Sequence, residues 1–241
     1  MNKLQDKIQE KLQSRVLTLA LMALLVASIV YVGRETAYYV TGETVSVSEE
    51  VKCVVIDAGH GGMDPGKVGI NGVNEKDINL QVALLVKKYL EAADIRVVMT
   101  RETDDGLYDS NASNKKVQDM KRRISLIDET APVAAISIHQ NSYPEEYVHG
   151  AQVFYYAGST QGKMLADFIQ KQLVKKVDQY NKRGIKANDS YYLLKKTEIP
   201  IVIVECGFLS NSAEAERLCD PDYQDRVAWA IHMGILQYLN E

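Results

Sequence analysis

Cysteine is scarce in this chain, and its spacing excludes two common kinds of small scaffold. The 241 residues contain three cysteines, Cys53, Cys206 and Cys219, with no C-x-x-C pair among them. A cysteine zinc cluster needs closely spaced pairs, and a disulfide framework needs a larger set at regular spacing, so neither is expected. Cys53 and Cys206 lie in or beside apolar runs, where a free cysteine is typically a small buried hydrophobic residue.

An excess of positive charge is also absent. The formal net charge is -4 at pH 7. Proteins that bind nucleic acid through its phosphates present a basic surface, because most of the affinity comes from neutralising the backbone. The composition therefore predicts no nucleic-acid partner.

A phosphate-binding loop is incomplete in this sequence. Residues 61–67 (GGMDPGK) match the pattern G-x-x-x-x-G-K after an apolar run. However, Val68 stands where a serine or threonine would hold magnesium, and Pro65 removes one backbone N–H from the cradle. We therefore expect no nucleotide site.

One long apolar segment is present near the N-terminus. Residues 16–32 are apolar except for Thr18 and Ser28, and the positive residues before them are Lys3, Lys7, Lys11 and Arg15. The length suits a short membrane-spanning helix, and the positive flank predicts a cytoplasmic N-terminus with the rest of the chain outside. A secretory signal peptide is the alternative, but no clean A-x-A cleavage site follows the run.

The sequence predicts four parts along the chain. Residues 1–15 are a basic cytoplasmic segment, 16–33 the anchor or signal segment, 34–50 a polar linker, and 51–241 the folded domain. The protein is accordingly expected to be membrane-anchored or secreted, with its domain on the extracytoplasmic side.

Strands and helices alternate along the domain. Apolar runs predict strands at 51–57, 95–100, 133–138, 151–156, 191–194 and 201–205, and helical spacing predicts helices at 78–93, 117–128, 164–180 and 225–239. This order is typical of a three-layer αβα domain around a mostly parallel mixed sheet. In the helix at 117–128 we expect two groups of residues: Val117, Met120, Ile124 and Ile127 face inward, and Lys121, Arg122 and Arg123 face mostly outward.

Three apolar runs end in residues that could take part in chemistry. His60 follows the first strand among glycines, His139 follows the third, and Glu205 ends the run 201–204. Glycines allow a sharp turn and a close approach. Because the carboxyl ends of parallel strands meet at one edge of a sheet, these side chains are predicted to form a site.

Two histidines and a glutamate are candidate metal ligands. His60, Glu75 and His139 would supply the three protein ligands of a catalytic zinc site, which leaves one position open. Each alone has an ordinary explanation: a loop histidine, an acid at a helix start and a core histidine. Their combination favours a metal site. His149, in a polar loop, and His232, in the terminal helix, are weaker candidates.

Glu205 is the single residue that most strongly indicates a functional site. A carboxylate at the end of a buried strand is costly unless a metal ion or an arginine compensates it. Alternation along the strand places Cys206 on the opposite face, which makes Cys206 a poor fourth ligand.

Taken in order, these motifs resemble the zinc-dependent N-acetylmuramoyl-L-alanine amidases of the type-3 family. The resemblance covers nearly all of 51–241, and the segments that carry it are 56–62, 74–80, 100–104, 137–141, 183–186 and 205–211. It implies that zinc is bound by His60, Glu75 and His139 and that Glu205 is catalytic. The chain departs from the family pattern at Ala58, Gln140 and Cys206, none of which removes a functional group.

The resemblance also implies a substrate and a setting. The reaction would be hydrolysis of the amide between N-acetylmuramic acid and L-alanine in peptidoglycan. Within the family the chain is most similar to germination-specific amidases of spore formers, which have a hydrophobic N-terminus and no wall-binding repeats. That similarity implies cutting of spore-cortex peptidoglycan on the way to muramic-δ-lactam. It also allows an accessory sporulation protein as a partner.

Two further residues are candidates for substrate binding. Asn141 would position either substrate or its own loop. Arg183 has a planar fork that suits a stem-peptide carboxylate, and it is equally well explained as a solvated cation at a helix end.

Two other functions use the same residues. A zinc carboxypeptidase-like peptidase would need the same metal chemistry. A non-catalytic peptidoglycan-binding membrane protein would not need Glu205 and all three ligands, and their presence together argues against it.

Overall fold

The computed structural model describes residues 15–34 and 52–241, which belong to separate units. Residues 15–34 form one helix, α1 (Arg15–Arg34), with exposed side chains and apolar character along most of its length. Its 20 residues extend about 30 Å, enough to cross a bilayer. The predicted linker and the predicted cytoplasmic segment lie almost entirely outside the described residues.

A six-stranded mixed sheet forms the centre of residues 52–241. Its strands are β1 (Cys53–Ala58), β2 (Arg96–Met99), β3 (Ala134–Asn141), β4 (Gln152–Tyr156), β5 (Lys186–Asn188) and β6 (Ile201–Phe208). The order across the sheet is β2-β1-β3-β6-β4-β5. Neighbouring strands are parallel except for the antiparallel pair of β4 and β6. The predicted mostly parallel mixed sheet is confirmed.

Helices cover both faces of this sheet. They are α2 (Glu75–Glu91), α3 (Lys115–Thr130), α4 (Thr160–Lys176), α5 (Tyr192–Lys195), α6 (Ser212–Leu218) and α7 (Pro221–Leu239). The larger core contains side chains of α2, α4, α6 and α7, and the smaller one contains side chains of α3 and α5. The three-layer αβα architecture is therefore confirmed, with unequal outer layers.

Alternation along the strands distributes side chains between the two cores. Val204 and Cys206 of β6 belong to the larger core, whereas Ile203 belongs to the smaller one. Glu205 therefore points to the α3 and α5 side, and Cys206 lies on the opposite face as predicted. His139 is paired with Glu205 in the β3–β6 register and shares its face.

The strands that carry these two residues are longer than predicted. β3 continues to Asn141 and β6 to Phe208, so His139 and Glu205 lie within strands and not at their ends. The register of the pair shifts between His139 and Asn141. The irregular pairing marks the carboxyl edge at which the site begins.

The strand predicted at 191–194 is wrong, because those residues lie at the start of the short helix α5. The side-chain oxygen of Asn188 accepts hydrogen bonds from the backbone N–H groups of Ser190 and Tyr191. Such an asparagine turn bends the chain and replaces the ladder bonds that a strand would make.

The predicted orientation of α3 is also wrong at two residues. Arg123 was expected to face solvent mostly but is 2% exposed, and Val117 was expected inside but is 47% exposed. Residues three and four apart share a helix face. Arg123 follows Met120 by three positions and precedes Ile127 by four, so it lies on the buried stripe.

Candidate metal centre

The backbone at His60 adopts a conformation that few residues tolerate. His60 has φ 62° and is followed by Gly61 and Gly62, which also have positive φ. At the preceding position, a Cβ on Gly59 would overlap the imidazole ring of His139. The glycines thus let the chain turn after β1 and let the two imidazoles approach each other.

Two buried arginines hold this turn. Arg123 donates to the carbonyl oxygens of Ala58, at 2.9 Å, and His60, at 2.6 Å. Arg101 donates to the carbonyls of Ala58, at 2.9 Å, and Gly59, at 3.1 Å. Charge-assisted bonds to three consecutive carbonyls fix the left-handed turn that presents the His60 ring. Sequence reasoning missed both roles, although Arg101 lies in one of the motifs that carry the resemblance.

Asp57 and Asp119 are the two carboxylates that compensate the buried charge of Arg123, and Asp57 is the more deeply buried of the two. Its Oδ1 lies 2.6 Å from the Arg123 guanidinium, and Ser137 donates a hydrogen bond to Oδ2 at 2.5 Å. Burial alone would raise the pKa of Asp57, but Arg123 and Ser137 outweigh it and hold the pKa at about 2. Asp57 is therefore ionised in the folded protein at neutral pH.

The structure brings the three predicted ligands together. His60 Nε2 lies 3.2 Å from Glu75 Oε1, and His139 Nδ1 lies 2.9 Å from the same oxygen. Each residue offers one donor atom, and all three donors lie within 4.8 Å of one another. Ligands around a tetrahedral zinc ion lie about 3.3 Å apart, given bond lengths near 2.0 Å. The donor set is that of a zinc site, and the two separations from Glu75 Oε1, 3.2 and 2.9 Å, are close to this spacing.

The first histidine is oriented by a carboxylate. Asp64 Oδ2 lies 2.9 Å from His60 Nδ1, which leaves Nε2 for the centre of the cluster. Burial would lower the pKa of His60, but Glu75 and Asp64 outweigh it and raise the pKa. The same negative charges favour a bound cation.

Glu75 is fixed by backbone and side-chain donors. The N–H of Lys67 donates to Oε2 at 2.8 Å, and the N–H of Gln140 donates to Oε1 at 3.1 Å. Asn79 adds a bond to Oε1 at 3.3 Å. Burial alone would raise the pKa of Glu75, but its hydrogen bonds with His139 and His60 hold that pKa far below the usual range. Glu75 is therefore an anion at any physiological pH.

Glu205 lies beside this cluster without a compensating partner. Its side chain is 7% exposed, and Oε2 makes no hydrogen bond within the described part of the chain. Burial raises the pKa of Glu205 to about 7, with a further contribution from Glu75, while His139 and His60 oppose the rise. An unpartnered buried carboxylate is costly to folding, and such groups with shifted pKa values concentrate at functional sites.

A cavity of about 290 Å³ opens above the cluster. His60, Glu75, His139 and Glu205 line one part of it. The rest of the wall includes Met120 and Arg123 of α3, Tyr191, Tyr192 and Leu193 at the start of α5, and Ile203 of β6. The thinner helical layer thus leaves the reacting groups open to a substrate.

The other candidate residues lie outside the cavity lining. The Asn141 side chain accepts the Ser142 N–H at 2.8 Å, within its own loop. Arg183 donates to His149 O at 2.7 Å, and its guanidinium lies 4.7 Å from the centre of the Phe208 ring.

The two weaker histidine candidates are likewise absent from the cluster. His149 uses its carbonyl to hold Arg183. His232 is buried in α7 against the rings of Tyr89 and Trp229. Neither histidine belongs to the group of potential metal ligands among residues 15–34 and 52–241.

An αβα domain with a metal-competent His–Glu–His cluster and a buried carboxylate at the carboxyl edge of its mixed sheet has the groups that a metal-dependent hydrolase needs. The family model for N-acetylmuramoyl-L-alanine amidase matches residues 54–237 of the chain. The chain therefore belongs to the N-acetylmuramoyl-L-alanine amidase family, and the resemblance seen in its motifs is confirmed.

Individual relatives agree with this assignment. The germination-specific N-acetylmuramoyl-L-alanine amidase of Bacillus subtilis (strain 168) is 38% identical over 193 residues, which cover 79% of this chain and 81% of the relative. The CwlD amidase from Clostridioides difficile, solved in complex with the GerS lipoprotein, is 39% identical with a TM-score of 0.76. That match covers 78% of this chain and 98% of the CwlD chain.

A third relative is more distant. The catalytic domain of CwlV, an N-acetylmuramoyl-L-alanine amidase from Bacillus (Paenibacillus) polymyxa var. colistinus, is 34% identical with a TM-score of 0.70. The match covers 78% of this chain and 98% of that domain.

Proposed function

We propose that this chain hydrolyses the amide between the lactyl group of N-acetylmuramic acid and L-alanine in peptidoglycan, with Zn²⁺ as its metal. The observation that carries the proposal is the position of Glu205, a buried carboxylate with a free oxygen beside three metal-competent side chains. Membership of the amidase family identifies the bond.

The metal would be held by His60, Glu75 and His139. Zinc bound there supplies Lewis-acid chemistry, which makes a water molecule more acidic and an amide carbonyl more electrophilic. Asp64 holds the His60 ring with Nε2 toward the centre, and backbone donors hold the Glu75 carboxylate. These contacts keep the donor atoms in place before the cation arrives.

Glu205 moves the proton in this mechanism. As a base it accepts a proton from the attacking water, while the water oxygen forms its bond to the carbonyl carbon. As an acid it then gives that proton to the alanine nitrogen as the carbon–nitrogen bond breaks. Burial raises the pKa of the Glu205 carboxyl, which makes its carboxylate a stronger base than that of an exposed glutamate. Loss of such a group typically lowers the rate by about 10²–10⁴.

The test uses the full chain in detergent, loaded with zinc and incubated with purified peptidoglycan. We expect mass spectrometry to detect free stem peptides that begin with L-alanine. Glu205→Gln is expected to bind zinc and to release stem peptide about 10²–10⁴-fold more slowly. Glu216→Gln, which changes an exposed glutamate of α6, is expected to be as active as the wild type. Products cut within the stem peptide would favour a peptidase, and intact substrate with stoichiometric zinc would contradict the proposal.

We further propose that the substrate in the cell is spore-cortex peptidoglycan, and that the cut leads to muramic-δ-lactam together with a separate deacetylase. Support comes from the similarity to the germination-specific Bacillus subtilis amidase and to CwlD. Spores that lack this chain are expected to have no muramic-δ-lactam in their cortex, and the Glu205→Gln chain is expected not to restore it. Normal lactam content in such spores would assign the enzyme to general wall turnover.

We also propose that α1 anchors the enzyme in the membrane, with residues 1–15 in the cytoplasm, 34–50 as a linker and 51–241 as the extracytoplasmic catalytic domain. The length and apolar character of α1 support this arrangement. Spheroplasts treated with protease are expected to lose the domain and keep the N-terminus. A shortened soluble product in the medium would indicate signal-peptide cleavage.

An accessory lipoprotein is the partner that we propose for this enzyme. Support comes from the Clostridioides difficile CwlD amidase, whose structure was solved in complex with the GerS lipoprotein. A tagged full chain purified from membranes of sporulating cells is expected to retain a lipoprotein in stoichiometric amount. A chain purified in the same way with no lipoprotein retained would contradict this partner.

A further inference from the structure

Tyr191 lines the same cavity as the candidate metal ligands and Glu205 but has no part in the mechanism above. It lies at the start of α5, where Tyr191 is the residue that precedes the first helical turn. Its ring is half-buried, and within the described residues its hydroxyl makes no hydrogen bond. A polar group that faces an active-site cavity without a protein partner is available to a substrate.

The position of Tyr191 is fixed on two sides. The side-chain oxygen of Asn188 accepts its backbone N–H at 2.8 Å. Its ring packs against Phe154, with 5.5 Å between the ring centres. Because both the backbone and the ring of Tyr191 are held, its hydroxyl is in place before the substrate binds.

The charges around Tyr191 keep its hydroxyl protonated. Burial raises the pKa of Tyr191, and the negative charges of Glu205 and Glu75 raise it further. Tyr191, Glu205 and Glu75 all line the same cavity. A phenol that remains neutral at working pH is a hydrogen-bond donor.

We propose that the Tyr191 hydroxyl donates a hydrogen bond to the carbonyl oxygen of the scissile amide and is a catalytic donor of the reaction. This inference rests on the proposed amidase function. As water adds to the carbonyl carbon, the electron pair of the C=O bond moves onto the oxygen, and the hydrogen bond from Tyr191 strengthens. When the carbon–nitrogen bond breaks, the C=O bond re-forms and Tyr191 keeps its proton. Donors of this kind act mainly in the transition state.

The test compares Tyr191→Phe with the wild type, because phenylalanine keeps the contact with Phe154 and removes only the hydroxyl. Tyr180→Phe, which alters an exposed tyrosine outside the cavity, is the matched control. The full chain is loaded with zinc and assayed on a soluble muramoyl peptide. We expect kcat of Tyr191→Phe to fall by about 10²-fold with KM unchanged, in the range found for loss of one oxyanion donor.

A second measurement separates catalysis from structure. A phosphinate analogue of the muramoyl–alanine bond mimics the tetrahedral transition state, so its affinity is expected to fall by the same factor as kcat. Zinc affinity and thermal stability are expected to match those of Tyr180→Phe.

Three outcomes would overturn the inference. Equal kcat in Tyr191→Phe and wild type would exclude the hydrogen bond while leaving the amidase function intact. A fall in kcat accompanied by an equal fall in zinc affinity would show that Tyr191 is only structural. A wild type that releases no stem peptide would contradict the proposed function, and this inference with it.

Discussion

Arg123 and Asp57 form a buried ion pair, with 2.6 Å between Nη1 and Oδ1 and almost no exposure of either side chain. The same guanidinium donates to the carbonyl oxygen of His60, at 2.6 Å. Arg123 therefore connects a charge on β1 to the backbone of the first candidate metal ligand. A buried pair of this kind is sensitive to loss of one partner, because the other charge is left without compensation.

Arg123→Met tests this connection, since methionine keeps much of the apolar stem and removes the charge. We expect the free energy of unfolding to fall by about 3–5 kcal/mol, because Asp57 is left buried and unpaired. Urea unfolding of the zinc-free protein measures the change. Arg122→Met, at an exposed neighbour on α3, is expected to change little. Equal stabilities of the two variants would show that the ion pair does not stabilise the fold.

The low pKa of Asp57 predicts a pH dependence of stability. Its pKa is about 2 in the folded state and 3.8 in the unfolded chain, so the folded state binds its proton less readily. The resulting stabilisation, about 2 kcal/mol, is fully present above pH 3.8 and is lost as the pH falls toward 2. Urea unfolding from pH 2 to 6 measures it. Asp57→Asn is expected to flatten the curve, and an unchanged slope in that variant would assign the acid sensitivity to other carboxylates.

Asp64→Asn tests the orientation of His60. Loss of the carboxylate at Nδ1 is expected to lower zinc affinity by about 10–100-fold, as is typical when the outer partner of a metal-bound histidine is removed. Competition with a chromophoric chelator measures the affinity. Asp167→Asn, at an exposed position on α4, serves as the control. Wild-type affinity in Asp64→Asn would show that the turn alone orients the ring.

Gly59→Ala tests the close approach of the two histidines. The added methyl group would overlap the His139 ring, and we expect a loss of about 1–3 kcal/mol in stability together with a large loss of zinc affinity. Gly184→Ala is the matched control, because a Cβ there meets open space. Thermal unfolding and zinc titration measure both effects. A stable Gly59→Ala with unchanged zinc affinity would mean that His139 can move aside without consequence.

The sequence was sufficient to predict the αβα architecture because long apolar runs and helical spacing set most of its elements. The cluster of His60, Glu75 and His139 was also predictable, since parallel strands bring their carboxyl ends to one edge. Three short elements, β5, α5 and α6, were missed or misassigned. The helices α5 and α6 have only four and seven residues, too few to show a helical period, and β5 (Lys186–Asn188) has no apolar run. The side-chain oxygen of Asn188 accepts backbone hydrogen bonds that form the turn before α5, which is why a helix follows and not a strand.

The two buried arginines show a different limit of prediction from the sequence. Arg101 and Arg123 are charged, and charged residues are almost never fully buried unless they are paired. Arg123 has one partner within its own helix, Asp119, four residues earlier. The other partners of the two arginines are backbone carbonyls and Asp57, which come together only after β1, β2 and α3 have packed. A sequence pattern cannot reveal such a partner, although position 123 falls on the same helical stripe as Met120 and Ile127.

The unequal helical layers have a consequence for how this enzyme can diversify. The candidate ligands and Glu205 lie in the sheet, in the turn clamped by arginines and at the start of α2. Part of the cavity wall comes instead from a helix of four residues, α5, and the turn before it. Changes in that small segment alter the shape offered to a sugar or a peptide while leaving the clamped turn and the sheet edge intact. Recognition can therefore change in this segment at every position except Tyr191, because the proposed donor of the reaction lies in the same turn.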